Sequence, residues 1–299
     1  MGIKNLNKFI IKYAPNAIKI IKNEELYNKK IAIDVSLIMH QYLFAIGNKL
    51  NNKITNLHIH VILIKTISLL KEKIIPIFVF DGTMPELKKN TILKRQQNNH
   101  KQHIYISKEQ YIETTKILDL LGIQWIISPN EADSQCAYLS KFNLVDYVIS
   151  EDMDLLAFGT KKLLRGNKNK KIEISLDIIL NTIDITYEQF IDICILLGCD
   201  YSPTILGLGI VKIYKFIKVY KSIKNILLLD SFKLDNTYFN ISLEFKNKYI
   251  EVYNYFKNPD IKIVDSVILK NYNKNELINI LIFNYNYDKK ILDRILICL

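Results

Sequence analysis

The stretch from Asn130 to Asp154, NEADSQCAYLSKFNLVDYVISEDMD, constrains the fold most. It carries two carboxylate pairs, Glu131/Asp133 and Asp152/Asp154. The residues after Asp133 read as the first turns of a helix, with Ala137, Leu139 and Phe142 facing inward. Val145 to Ser150 reads as a buried strand, so the second pair follows a strand's C-terminal end. The first pair sits where the loop after the apolar run Ile123–Ile127 enters a helix. In open parallel sheets, sites form outside the carboxyl ends of strands. One acid after a strand is commonly only a helix cap. Four acids in two close pairs repel one another unless a cation neutralises them. Hard divalent ions prefer carboxylate oxygens, so the pattern predicts a shared metal site.

Read in order, the chain alternates. Residues 3–22 read as an amphipathic helical stretch interrupted by Pro15. Lys30–Asp34 and Ile74–Phe80 read as strands, ending in or followed by the acids Asp34 and Asp81. Leu37–Leu50, Asn56–Lys73, Glu109–Leu121 and Tyr187–Leu197 read as helices, with His58 and His60 as ordinary helix residues. Lys161–Arg165 reads as a strand before a charged hairpin tip at Gly166–Lys171. The alternation predicts an α/β fold with a mostly parallel central sheet flanked by helices. Beyond Asp200, Pro203–Gly209 reads as a tight glycine hairpin leading into short helices at Ile210–Val219 and Ser222–Leu229. The amides opening the first of these can face an anion, with Lys212, Lys215 and Lys218 behind them. Residues 236–299 read as helical, and no internal repeat is visible.

Composition narrows the partner. The chain of 299 residues has a formal net charge of +11. A basic chain around an acidic centre suits a polyanion whose phosphates are brought to metal. Cys136, Cys194, Cys199 and Cys298 form no CxxC, which fits reduced thiols. No apolar run reaches membrane-spanning length, and Lys12 breaks the apolar run of the start, a poor signal peptide.

Several stretches in order carry a resemblance: MGIKNLNKFI, KKIAIDVS, PIFVFDGTMPELKKNTILKR, PNEADSQCAYL, ISEDMDLLAFG and FIDICILLGCDYSPTILGLG. They resemble the flap endonuclease and xeroderma pigmentosum group G superfamily of structure-specific 5′ nucleases, over residues 1–230 at least. The resemblance implies a PIN-like nuclease core over residues 1–200, with a short helical arch at about 83–110. Residues 201–299 would form a helix–two-turn–helix DNA-binding element and a helical region. It implies two Mg²⁺ ions, or Mn²⁺, held by Asp34, Asp81, Glu131, Asp133, Asp152, Asp154 and Asp200, with Asp34, Asp81 and Asp154 also catalytic. Lys88 and Arg95 would meet the scissile phosphate, being seven apart and so on one helix face. DNA contacts are implied at Gly2, His40, Lys88, Lys89, Lys94, Arg95, Gly207, Gly209, Lys212 and Lys215. A K⁺ ion would bind at Thr204, Ile205 and Leu208.

The activity so implied is 5′ flap endonuclease and 5′–3′ exonuclease cleavage of branched DNA in replication, repair or recombination. The partner is duplex DNA bearing a flap, nick or junction, bound by a monomer. The compartment would be the nucleus, or a cytoplasmic factory for a large DNA virus. Three departures matter. The segment between Arg95 and Gly122 is short for an arch, His40 stands where the family stacks a tyrosine, and the loop between Leu43 and Thr55 is short. No sliding-clamp motif of the QxxLxxFF kind is seen near the DRILICL end. The short arch keeps open a Holliday-junction-resolving nuclease of the same superfamily, dimeric on DNA. A non-catalytic DNA-junction binder is the reading from another class. An RNA-directed nuclease also stays open, because nothing here reads the 2′-hydroxyl.

Overall fold

The computed structural model describes residues 2–39, 56–88, 107–167, 170–268, 270–289 and 292. His40, Lys89, Lys94, Arg95, Cys298, the loop between Leu43 and Thr55 and most of the expected arch lie outside the described residues.

The elements run α1 (Leu6–Tyr13), β1 (Ile18–Ile21), β2 (Lys30–Asp34), α2 (Leu57–Lys71), β3 (Ile75–Phe80), α3 (Lys108–Leu120) and β4 (Trp125–Ile127). They continue with α4 (Ala132–Lys141), β5 (Tyr147–Ile149), α5 (Asp154–Ala157), β6 (Lys162–Asn167), β7 (Lys170–Ser175), α6 (Leu176–Ile183) and α7 (Tyr187–Leu197). Then follow α8 (Ile210–Tyr220), β8 (Ser231–Leu234), β9 (Thr237–Asn240), α9 (Leu243–Lys257) and α10 (Lys274–Phe283).

Seven strands form one sheet in the order β1-β7-β6-β5-β2-β3-β4. The neighbours from β6 through β5, β2 and β3 to β4 are parallel. β7 is antiparallel to β6, and β1 to β7, at one edge. Strand side chains alternate between faces. In β2, Ile31 and Ile33 join the core under α2 and α3, while Ala32 joins the core on the opposite face. In β3, Phe78 and Phe80 face the first layer, Ile77 and Val79 the second. Both faces are buried, as a parallel sheet requires. Small residues let α4 lie close to the sheet: Ala132, Ser134, Cys136 and Ala137 are buried.

Three readings are corrected. Ile18–Ile21 is not the continuation of a helix. Pro15 ends α1's run, and Ile18, Lys19, Ile20 and Ile21 pair with the exposed edge of β7. Phe142 does not face inward; it is the C-terminal cap of α4 and 60% exposed. Residues 236–299 are not helical throughout, because β8 and β9 make an antiparallel hairpin. Its turn residues Asp235 and Asn236 have φ of 48° and 59°, the left-handed pair that two-residue hairpins favour. That signal stands in the sequence as KLDNTYF.

The last third of the chain is tied to the core by polar bonds. Buried Asp192 of α7 accepts from the Tyr249 hydroxyl of α9 at 2.7 Å and from the Ile223 amide at 3.0 Å. Between α9 and α10 the described residues of 259–268 and 270–273 lack regular structure and are strapped across the core, in part by side-chain amides. Gln135 accepts from the Lys262 amide at 2.7 Å and donates to its carbonyl at 2.9 Å. Gln124 accepts from Ile268 N at 2.8 Å, and Lys30 Nζ donates to the Val267 carbonyl at 2.9 Å. Lys270 and Asn273 then donate to the Gly122 and Leu120 carbonyls, each at 2.9 Å. Among the described residues no helix is long and apolar enough to cross a membrane.

Candidate metal and phosphate site

The acids gather at the carboxyl ends of the parallel strands. Asp34 ends β2, Asp81 follows β3, Glu131 and Asp133 open α4 after β4, and Asp152 and Asp154 follow β5. Asp200 lies beyond the end of α7, close enough for its charge to act on Asp154.

Part of this set does the bland work of capping. Asp34 Oδ1 accepts from the Ser36 amide at 2.7 Å, and Asp152 Oδ1 from the Asp154 amide at 3.0 Å. Asp81 Oδ1 accepts from the Ala132 amide at 2.7 Å, and its other oxygen accepts from the Ser36 hydroxyl. Glu131 departs from this pattern. It holds the cap position of α4, yet its side chain makes no cap bond. It accepts instead from Lys88 Nζ on Oε1, and on Oε2 from Tyr201 and Tyr255 at 2.8 and 2.6 Å.

Crowding and burial set the electrostatics. Burial pushes the Asp34 carboxyl well up, and the neighbouring Asp81 charge adds to it. Asp133 is pushed up by burial, then by Asp34, Asp152 and Glu131. Asp154 is pushed up by burial, then by Asp152 and Asp200. Burial opposes the charge on Lys88, but Glu131, followed by Asp133 and Asp154, outweighs it and holds the ammonium above its ordinary value. Tyr111, whose hydroxyl donates to the Asp81 carbonyl at 3.3 Å, is pushed up to about 12 by burial and the Asp81 charge.

Among the described residues no three carboxylates, histidines or cysteines converge as a ready ligand set for one ion. Glu131 is turned to its donors, and Asp81 to Ser36 and Ala132. The donor chemistry nevertheless fits a hard cation. Asp154 Oδ1 is buried with no hydrogen-bond partner, next to carboxylates whose mutual repulsion raises their proton affinity. A divalent ion relieves both costs. Gly2 closes the site from the start of the chain. At φ +99°, a Cβ on it would fall 2.0 Å from Asp152 Oδ1 and 2.9 Å from Asp154 Oδ1, so only glycine fits.

The glycine turn is a separate place. Gly207 has φ +76°, and Gly209 caps α8 with open space around it. The Ile205 carbonyl accepts from Leu208 N at 3.4 Å, while Thr204 is exposed and abuts Gly198. Lys212 lies over the Phe239 ring at 4.7 Å, and Lys215 pairs with Asp235 at 2.5 Å. Both partners belong to the β8–β9 hairpin that the sequence reading missed. His58 and His60 are structural, bonding Glu113 at 2.6 Å and Tyr287 at 3.1 Å.

Sequence reasoning also passed over Tyr201, Tyr255 and Ser36. Tyr201 directly follows Asp200, and Ser36 follows Asp34 by two, so proximity could have flagged both. Tyr255 carries no local signal; α9 delivers it from a distant part of the chain.

Residues 1–102 match the XPG N-terminal domain family and residues 122–200 the XPG I-region family. Flap endonuclease 1 of Plasmodium yoelii yoelii is 36% identical over 307 residues, covering 87% of this chain and 63% of that protein. The chain thus spans less than two thirds of that relative's length. Flap endonuclease 1 of Saccharomyces cerevisiae strain YJM789 is 33% identical, covering 90% of this chain and 78% of that protein. The catalytic core of Rad2 in complex with DNA substrate superposes with a TM-score of 0.81 at 25% identity, covering 99% of each chain. The chain belongs to the XPG and flap endonuclease family.

Proposed function

We propose that the chain is a divalent-metal-dependent, structure-specific 5′ nuclease that hydrolyses phosphodiester bonds in branched DNA, cutting 5′ flaps and degrading 5′ ends at nicks. One observation carries the reading: the unpartnered, buried Asp154 Oδ1 sits within reach of the Asp152 and Asp200 charges past the carboxyl end of the sheet, with the Lys88 ammonium close to Glu131, Asp133 and Asp154.

Asp34, Asp81, Glu131, Asp133, Asp152, Asp154 and Asp200 are the groups to hold two Mg²⁺ ions, or Mn²⁺ in their place. Bound there, such ions supply a deprotonated attacking water and neutralise charge at the leaving 3′ oxygen. The chain does the rest. Capping bonds to the Ser36, Ala132 and Asp154 amides fix Asp34, Asp81 and Asp152 before substrate arrives. Gly2, whose missing side chain lets the backbone lie against Asp152 and Asp154, is the candidate DNA contact beside the acids. Lys88, with Arg95 further along the same run, donates to the nonbridging oxygens as charge builds on the phosphate. The amides at Gly207 and Gly209, with Lys212 and Lys215, grip the duplex backbone away from the cut, helped by a K⁺ ion at Thr204, Ile205 and Leu208. His40, Lys89 and Lys94 are further candidates for contact with DNA.

The test is single-turnover cleavage of a labelled double flap, a single 5′ flap and a static four-way junction in Mg²⁺, with Asp154→Asn alongside. Rapid cutting at the flap base, lost in the variant, supports the reading. Paired symmetric cuts on the junction would move it to junction resolution. No cutting in Mg²⁺ or Mn²⁺ would leave a DNA-binding protein without this chemistry.

A further inference from the structure

Glu131 is served by three side chains from three distant parts of the chain. Lys88 comes from the residues after β3, Tyr201 from the turn after α7, and Tyr255 from the last turns of α9. Both phenols donate to the same oxygen, Oε2, at 2.8 and 2.6 Å. Oε1 carries the lysine alone among the bonds described. The rings are fixed in turn: Tyr255 lies 5.1 Å from Tyr201 and 5.3 Å from Phe158, and Tyr201 lies edge-on to Phe256 at 5.4 Å. A carboxylate at a helix cap ordinarily spends an oxygen on the first-turn amides. Glu131 makes no such bond, and its carboxylate is held by α9 and its neighbours instead.

We propose that Tyr201 and Tyr255 are positioning residues: they pin Oε2 of Glu131 so that Oε1 alone is presented to a cation, for which Lys88 and a divalent ion compete. This rests on the metal-dependent reading above and adds to it a role for the C-terminal helix. Two consequences have opposite signs. Loss of the phenols frees the carboxylate to rotate and weakens divalent binding, as loss of a partner behind a ligand generally does. Loss of the ammonium removes a competing positive charge, and binding tightens.

Mn²⁺ binding followed by electron paramagnetic resonance on the full chain, without DNA, reads both. Tyr255→Phe is expected to weaken binding about tenfold, and Lys88→Met to strengthen it severalfold. In a Glu131→Gln background, Tyr255→Phe should change nothing further. In cleavage assays Tyr255→Phe should raise the Mg²⁺ concentration for half-maximal rate, leaving the rate at saturating Mg²⁺ within about threefold. Thermal unfolding in EDTA supplies a metal-independent cycle, in which the Tyr255→Phe and Glu131→Gln shifts should be strongly non-additive. Wild-type Mn²⁺ affinity in Tyr255→Phe, or an equal loss with and without Glu131, overturns the proposal. If the wild type binds no Mn²⁺, the metal-dependent reading fails, and the unfolding cycle alone decides the clamp: additive shifts overturn it, non-additive shifts retain it.

Discussion

At the glycine turn, Lys215 is exposed and answers one hairpin aspartate, while half-buried Lys212 rests on the buried Phe239 ring. At the acid end, Lys88 is three-quarters buried and faces Glu131, Asp133 and Asp154 together. The first region spreads positive charge where water screens it; the second concentrates negative charge where water is scarce. Screened pairs are worth little, whereas buried charge forces every neighbour to take a position. The acid end is therefore where a one-atom change should be felt, and the glycine turn is where effects should be shallow and salt-dependent.

The largest expected contrast is Asp154→Asn, which should lower the single-turnover cleavage rate by roughly a thousandfold, several kcal/mol of barrier. Flap-DNA affinity by fluorescence anisotropy in Ca²⁺ should stay within about threefold. A loss of affinity equal to the loss of rate would erase the distinction between the two regions. Next, Lys88→Ala should cost about a hundredfold in rate with little change in affinity. The paired change at the glycine turn, Lys212→Ala with Lys215→Ala, should do the reverse. Affinity should fall severalfold, and the slope of log affinity against log salt should shrink by about one per lysine removed. An unchanged slope would show that Phe239 and Asp235 retain these lysines when DNA is present.

Two smaller effects concern the scaffold. Tyr249→Phe should destabilise the chain by about 1–2 kcal/mol in urea, because it leaves a buried Asp192 oxygen without its donor. His60 is the smallest. Burial holds its folded pKa below the ordinary value, so between the two values the unfolded chain binds the extra proton. Stability should therefore fall as pH drops through the unfolded value of about 6.5, and His60→Asn should flatten that slope.

The same contrast explains what the sequence disclosed. Asp34, Asp81, Asp152 and Asp154 were legible because each terminates or follows a short apolar strand, and parallel strands bring such ends together. α7 was legible from Tyr187 to Leu197, bounded by a Thr186–Gln189 capping box and Gly198. Ile18–Ile21 was not, since a four-residue segment such as IKII after a proline fits a helix or an edge strand equally and only β7 decides between them. The partners of Lys212 and Lys215 were hidden with the unrecognised hairpin. Tyr255 was beyond reach for a different reason: helical periodicity separates an inner face from an outer one, and it says nothing of which distant carboxylate the inner face will meet.

The strap over residues 259–273 and Tyr255 just before it also bear on biosynthesis. A chain is made from its N-terminus at about 5–20 residues per second. Asp200, the last of the acids, is therefore polymerised several seconds ahead of the segment that Gln135 and Gln124 wait to bind. Through that interval the nascent chain holds every acid of the cluster, while Glu131 has neither Tyr255 nor α9 beside it. Order of synthesis thus places the completion of the site after α9 has been made, well behind the last of the acids.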